Sequence, residues 1–323
     1  MSLFCKTPTF WAKRNFISYL LAPIGFLYKQ STSIRQFIKK PYKIPIPVIC
    51  VGNINVGGVG KTPLSIAIVK HLIEQGFSPH FITRGYGRKI HGNFQVQPNH
   101  HAEEVGDEAL LLSTIAPVWV AKSRTEVALL AFEQGATHLI LDDGFQDPSL
   151  FKDISLCVVD AQIGFGNGFG LPAGPLRENI HDGLRRADAL CVMGNMTQDI
   201  QKHSNDSLPI FEMNLEIDIP DILKDEKIIA FAGIGRPEKF FQSLKNEGLN
   251  VIRTFSYPDH YFYKTKDLQA MYKCAEDEGA KLITTEKDFA RLKEPSNMIL
   301  PIKAKIKIKQ NDTFINLLKK GTT

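Results

Sequence analysis

A chain of 323 residues that is 43% hydrophobic and 23% charged, with 24 Gly and 18 Pro, has the composition of a folded globular protein of one or two domains, neither fibrous nor disordered. Its formal net charge of +5 is unevenly placed, because ten Lys and Arg and no acidic residue precede Glu74 while the rest of the chain is net acidic. That split disfavours a nucleic-acid partner and leaves a basic amino-terminal end suited to an anionic surface.

Residues 16–28 (FISYLLAPIGFLY) are uncharged, with Lys13 and Arg14 before them and Lys29, Arg35, Lys39, Lys40 and Lys43 after them. The run is too short to cross a bilayer, which takes about 20 apolar residues. Pro23 and Gly25 are expected to disturb a straight helix, so a segment lying in the interface, its basic flanks toward anionic headgroups, is the better fit. A secretory signal peptide and an ordinary packed helix are the competing readings. The late start of the apolar run and the nucleotide loop that soon follows count against the signal peptide. Five scattered cysteines (Cys5, Cys50, Cys157, Cys191, Cys274) without a CxxC pair point to reduced thiols in a cytosolic protein, Cys50 and Cys157 lying in buried strands.

Residues 46–52 (IPVICVG) form an apolar β-rich run, NINVGGVGKTP follows, and Leu64, Ile68, Leu72 and Ile73 then mark an amphipathic helix running to Gly76. Strand, glycine loop and helix in this order form a phosphate cradle, in which backbone N–H groups turn inward, a lysine reaches the terminal phosphates and a hydroxyl ligates magnesium. Gly57, Gly58 and Gly60 supply the turn, with Val56 and Val59 between them, Lys61 the charge and Thr62 the hydroxyl. Pro63 fits a first helical turn. The strict pattern GxxxxGK[ST] has glycine where Asn55 stands, and asparagine is expected to take the left-handed angles there.

Further along, VGDEALLL places Asp107 and Glu108 at a helix start, where carboxylates serve as caps or as catalysts. THLILDDGFQD is a strand ending in Asp142 and Asp143, the form of a carboxylate pair that holds magnesium beside a phosphate loop. If the strand persists the two point to opposite faces, one toward the nucleotide and the other ordering the next loop. The glycine-rich stretch GFGNGFGLPAGPLRE ends in Arg177 and Glu178, a phosphate and metal clamp or a salt bridge. Arg84 and Arg88 follow a strand as anion contacts or a solvated turn. His100, His101, Glu103 and Glu104 sit in a polar loop expected to be exposed. Asp259 and His260 lie in SYPDHYFY, and Lys287 and Asp288 open a helix in TTEKDFARL.

Strands near 47–52, 80–83, 138–142, 155–159 and 189–193 alternate with helical patterns, predicting an α/β doubly wound, P-loop NTPase-like sheet over 44–215. A second alternation begins at Lys227 and predicts a smaller α/β domain over 226–323, with residues 1–43 as a membrane-associating segment. The strict alternation of PIKAKIKIK (301–309) predicts an exposed edge strand with a lysine face.

The ordered set PVICVGNINVGGVGKTP, ITRGYGR, VGDEALLL, LDDGFQD, GFGNGFGLPAGPLRE, FAGIGRPEKF, SYPDHYFY and TTEKDFARL resembles the tetraacyldisaccharide 4'-kinase family, the lipid A kinases of Gram-negative bacteria, from about residue 11 to about 292. The resemblance implies transfer of the ATP γ-phosphate to the 4'-hydroxyl of a lipid A disaccharide 1-phosphate precursor. It places that reaction at the cytoplasmic face of the inner membrane, where the basic, apolar amino-terminal segment is expected to meet anionic lipid as in a peripheral or monotopic protein. It implies Asp107 as the proton acceptor, His260 tuning or relaying it across a cleft, and Lys61 stabilising the transferring phosphoryl group. Thr62 and Glu178 are implied as Mg2+ ligands, Asp142 and Asp143 as organisers of metal and loop, and Arg177 with residues 55–62 as the ATP site. Three positions depart from the family: Asp147 and Tyr261 stand where histidine is usual, and Ala109 where proline is usual. The competing reading is a membrane-associated P-loop ATPase acting on a protein partner, or a nucleotide-dependent scaffold. Val56, at the position where the known deviant ATPase loop carries lysine, counts against the first.

Overall fold

The side chain of Asn15 accepts from the Ser18 N–H while Ser18 Oγ accepts from the Asn15 N–H, and this reciprocal cap starts a long helix. In the computed structural model, which describes residues 8–204, 207–292 and 296–320, that helix, α1, spans Phe16–Ile38 and continues through Pro23. The expected break is absent because α1 lies against the body along one side. There Trp11 Nε1 just before it donates to Pro172 O, Tyr19 meets the Phe169 ring edge-on, and Ser33 reaches Asp182. Gly25 serves contact rather than flexibility, since a Cβ at this position would lie 2.5 Å from Gly170 O. The opposite face of α1 is apolar and uncovered, with Phe16 81%, Leu20 67% and Leu27 67% exposed. Among the described residues no helix is long and apolar enough to cross a membrane.

The amino-terminal half then runs β1 (Val48–Gly52), α2 (Lys61–Glu74), β2 (Pro79–Thr83), β3 (Phe94–Gln95), α3 (Ala102–Val105), α4 (Asp107–Ser113), β4 (Val118–Val120), α5 (Arg124–Glu133), β5 (His138–Asp142), β6 (Ile154–Asp160), α6 (Ile180–Arg185), β7 (Ala189–Met193), α7 (Gln198–His203) and β8 (Ile210–Asp218). The carboxy-terminal half adds β9 (Lys227–Ala232), α8 (Pro237–Asn246), β10 (Asn250–Ser256), α9 (Thr265–Glu278), β11 (Lys281–Thr285), α10 (Glu286–Phe289), β12 (Ile299–Ile308) and α11 (Asn311–Lys320). The strands line up as β10-β9-β11-β12-β8-β7-β6-β1-β5-β2-β4-β3. Each half is parallel inside, apart from the short β3 at the rim.

Strands β1, β5 and β6 are buried along their whole length, as parallel strands covered on both faces must be. Alternate residues feed two layers. Ile49, Val51 and Ile140 pack with Leu64 and Ile68 of α2, whereas Cys50, Leu139 and Leu141 pack with Val127 and Ala131 of α5. Each of the Val, Leu and Ile side chains among them contributes about 1.5–3 kcal/mol by leaving water. Burial pushes the Cys50 thiol up to about 11 and that of Cys157 to about 12, so both are inert core thiols. Cys191 is buried with them, while Cys5 lies outside the described residues.

The predicted edge strand is in fact the seam of the sheet. Ile299–Ile302 of β12 pair parallel with β11, and residues 303–308 pair antiparallel with β8. The lysine face that reads as solvated is met by carboxylates of β8, Lys305 by Asp218 at 2.6 Å and Lys307 by Glu216 at 3.0 Å. Cross-strand charge pairing hides an interior strand behind an edge-like pattern.

Candidate active site

The phosphate loop lies between the end of β1 and the start of α2. Gly57 and Gly60 take the left-handed angles, at φ 122° and 93°. Asn55 does not, contrary to expectation. Its backbone bridges Leu176 and its side-chain amide donates to Gly164 O at 2.7 Å, while the Val56 N–H donates to Pro175 O at 2.8 Å. The glycine-rich stretch 164–178 thus braces the loop from outside, and the missing glycine is replaced by tertiary hydrogen bonds. Val59 is buried beneath the loop, whereas a Cβ on Gly57 or Gly58 would meet nothing within 4 Å. The loop therefore faces open space on the side where phosphates bind. Among the described residues, Asn53 Nδ2 and Asn55 Oδ1 at this loop are buried without a partner, as expected of polar atoms that await a ligand. Lys61 Nζ lies 3.3 Å from Asn53 Oδ1 and 3.7 Å from Asp143 Oδ1.

Both aspartates at the end of β5 turn toward this loop. The expected alternation fails because the strand stops at Asp142 and Asp143 takes φ 56°. Asp142 accepts from Ser65 Oγ at 2.9 Å and from Thr62 Oγ1 at 3.3 Å. Burial, and then the charge of Glu108, push its carboxyl up to about 7 against the pull of Lys61. A buried carboxylate so short of cations, next to a loop hydroxyl, is the oxygen-donor set that suits a hard divalent ion. Asp143 is only half-buried, and Lys61 and Arg177 outweigh its desolvation and hold it below the usual carboxylate range. Arg177 Nη1 donates to both of its oxygens, at 2.8 and 3.0 Å.

Glu178, 1% exposed, accepts from Arg186 Nη2 at 2.7 Å and from Gln146 Nε2 at 2.8 Å. Gln146 also binds Asn53 O and Arg177, so Glu178 joins the loop through Gln146. Asp147, the departure from the family histidine, faces Arg124 at 3.1 Å and Arg84 at 3.5 Å. Those cations overcome burial and hold Asp147 down at about 2. The residues around His100 are used locally: His100 Nδ1 accepts from Gln97 N, Glu104 from His101 N, and Glu103 pairs with Lys89.

Asp107 opens α4, after Gly106 at φ 93°. Its Oδ1 accepts from the Glu108 N–H at 2.9 Å. Its Oδ2 meets three groups from the carboxy-terminal half: His260 Nδ1 at 2.9 Å, Arg291 Nε at 2.6 Å, and Lys287 Nζ farther off at 3.9 Å. Burial alone would raise this carboxyl. The His260 hydrogen bond and the charges of Lys287 and Arg291 win and hold it well below the usual range. Because an ionised carboxylate only accepts, His260 presents its Nδ1–H to it. His260 sits at φ 60°, and it and Asp143 are the non-glycine residues with left-handed angles among those described. Strain of this kind concentrates at functional sites.

Sequence reasoning missed three contributors. Arg291 gives no signal beyond its place in TTEKDFARL, and Gln146 none beyond LDDGFQD. Asp160 at the end of β6 pairs with Arg236 and, at 3.1 Å, with Lys239, a second ionic link between the halves from the motif FAGIGRPEKF.

Residues 17–322 match the family model described as tetraacyldisaccharide-1-P 4'-kinase, LpxK. The chain belongs to this family. It is 46% identical over 291 residues to the tetraacyldisaccharide 4'-kinase of Paramagnetospirillum magneticum, a match covering 89% of each chain. With the enzyme of the same name from Parvibaculum lavamentivorans the identity is 43%, over 89% of this chain and 86% of that one. The crystal structure of LpxK from Aquifex aeolicus in complex with ATP superposes with a TM-score of 0.79 at 30% identity, over 95% of this chain and all of that one. The α/β fold is thus that of a lipid kinase known with ATP bound, and a partner-moving ATPase is not favoured.

Proposed function

We propose that the protein is the ATP-dependent kinase that phosphorylates the 4'-hydroxyl of a tetraacyldisaccharide 1-phosphate, using MgATP, in lipid A biosynthesis. The observation that carries the reading is the Asp107–His260 pair, 2.9 Å apart and joined across the two halves beside the phosphate loop. Glu108, next to Asp107, is close enough to Asp142 for its charge to raise that carboxyl, so the acceptor and the metal side of the loop share one field.

Residues 55–62 wrap the phosphates, and the Lys61 ammonium neutralises charge on the transferring group. Thr62 and Asp142 are the groups best suited to hold Mg2+, with Glu178 as a further ligand once it is released from Arg186; the ion would draw charge off the β- and γ-phosphate oxygens. Arg177 and Asp143 hold the loop wall, and Arg177 is free on its remaining nitrogens to meet a phosphate. Asp107 takes the proton as the sugar oxygen attacks, with His260 orienting the carboxylate and carrying charge away. Residues 44–215 act as the nucleotide lobe and 226–323 as a second lobe whose seating completes the site.

The uncovered apolar face of α1 and the basic residues flanking it support a peripheral position on the anionic cytoplasmic face of the inner membrane, where an acylated acceptor is presented. The test is transfer of labelled γ-phosphate to a tetraacyldisaccharide 1-phosphate. Asp107→Ala should abolish product while leaving ATP affinity nearly intact, and loss of ATP binding instead would sink the acceptor role.

A further inference from the structure

We propose that Arg291 is a positioning residue for the proton acceptor, holding Asp107 so that Oδ1 is the oxygen offered to the sugar hydroxyl. The proposal rests on the kinase reading above and names the atom that does its chemistry. A carboxylate oxygen has two good acceptor directions. Oδ2 of Asp107 has spent both, on His260 Nδ1 at 2.9 Å and Arg291 Nε at 2.6 Å, with Arg291 Nη2 also in contact. Oδ1 receives the Glu108 N–H at 2.9 Å and keeps one direction open. As the hydroxyl oxygen bonds to the γ-phosphorus, its proton passes to that direction of Oδ1, and the bond from phosphorus to the ADP oxygen breaks with its electron pair leaving on ADP.

Arg291 is itself immobile. Its side chain is fully buried, and Nη1 donates to Gly233 O at 2.6 Å and Asp288 Oδ1 at 2.8 Å. Asp288, equally buried, is fixed by the Gly233 N–H, the Tyr263 hydroxyl and Thr285 Oγ1 at 2.9, 2.8 and 2.7 Å. The guanidinium is therefore placed by β9, β11 and α10 of the carboxy-terminal half, yet it ends on a carboxylate at the start of α4 in the other half. A planar fork with Nε bonded to one carboxylate oxygen and Nη2 in ionic contact with it fixes the carboxylate in a way a single ammonium does not. Acceptor geometry thus depends on seating of the second lobe.

The charged groups facing Asp107 are Glu108 from α4, Asp259 and His260 from the loop after β10, and Lys287, Asp288 and Arg291 from α10 and the turn beyond it. Taking away the guanidinium removes a cation and a donor from a buried carboxyl, so its proton affinity rises and the acid limb of the rate profile moves to higher pH.

The experiment compares wild type, Arg291→Ala and Arg291→Lys in labelled-phosphate transfer from MgATP to tetraacyldisaccharide 1-phosphate, with thermal melts to verify folding. For Arg291→Ala we expect kcat to fall by about 10²-fold or more, the general-base range, with KM for ATP within about twofold. Its acid limb should move upward, and added guanidinium should restore part of kcat. Arg291→Lys should lie between, because it keeps the charge and loses the fork. A folded Arg291→Ala with wild-type kcat and acid limb overturns the proposal, as does a kcat loss that guanidinium does not relieve and that leaves the acid limb in place. If Arg291→Ala does not fold, Arg291→Lys decides alone, and a wild-type rate and profile in it refute the role. Absence of transfer by wild type itself is a separate outcome, which sinks the kinase reading first.

Discussion

Asn in place of Asp142 should make the nucleotide-free protein more stable at neutral pH while destroying its activity. The carboxyl sits 1% exposed at the end of β5, pushed up to about 7 by burial and by the charges of Glu108 and Asp143. Its folded value lies above its unfolded value near 3.8, so the fold prefers the protonated form. That preference is whole below pH ~4 and is lost as pH rises toward about 7, at roughly 1.4 kcal/mol per pH unit. The full penalty is about 4 kcal/mol, and relaxation around the buried charge lowers the expected value to about 2–4 kcal/mol. Asparagine removes the charge and still offers an oxygen to the Ser65 and Thr62 hydroxyls. Urea melts of both proteins without metal or nucleotide, at a series of pH values from acidic to mildly alkaline, read the difference. It should be small in acid and grow to a plateau above neutrality. MgATP should then stabilise wild type much more than the variant. A stability difference that does not change with pH would show that the Asp142 carboxyl is not raised in the fold, since a plain packing effect carries no such slope.

Leu20→Gln with Leu27→Gln, on the uncovered face of α1, should weaken partitioning to anionic vesicles by about tenfold or more, given about 1.5–3 kcal/mol per apolar side chain; sedimentation with vesicles checks it, and unchanged partitioning would remove α1 from the membrane contact. Gly52→Ala should destabilise by about 1–3 kcal/mol, because the new Cβ would fall 2.4 Å from that of Phe145. A denaturant melt measures this, and an unchanged midpoint would mean that the loop after β5 yields freely.

The central strands and the phosphate loop were legible because their pattern is local: an uninterrupted apolar run, then glycines, then Lys61 and Thr62. What escaped depends on partners far away in the chain. Residues 301–309 read as an edge strand since their lysines alternate strictly, and the acids that neutralise them lie on β8, about 90 residues earlier. Strand β8 gives no clear strand signal in the sequence, because its polar face is written for β12 rather than for a core. Pro23 and Gly25 looked like breakers, yet α1 passes through both, held by contact with the loop at Gly170. Asn55 is expected to imitate a glycine, whereas its side-chain bond to Gly164 O and the flanking backbone bonds of Val56 to Pro175 and of Arg177 to Ile54 make that unnecessary. At the site, Asp107 and His260 stood out through their motifs. Arg291 did not, since an arginine one turn after a capping aspartate is commonplace until the fold carries it 184 positions back to Asp107.

The most direct test of the account follows label from the γ-position of MgATP onto tetraacyldisaccharide 1-phosphate in detergent micelles, with wild type and Asp107→Ala side by side and ATP affinity measured for both. Labelled lipid is expected with wild type alone, at least about 10²-fold less with the variant, and similar ATP binding by the two. Unlabelled lipid with wild type, alongside steady ATP hydrolysis stimulated by a protein partner, would contradict it.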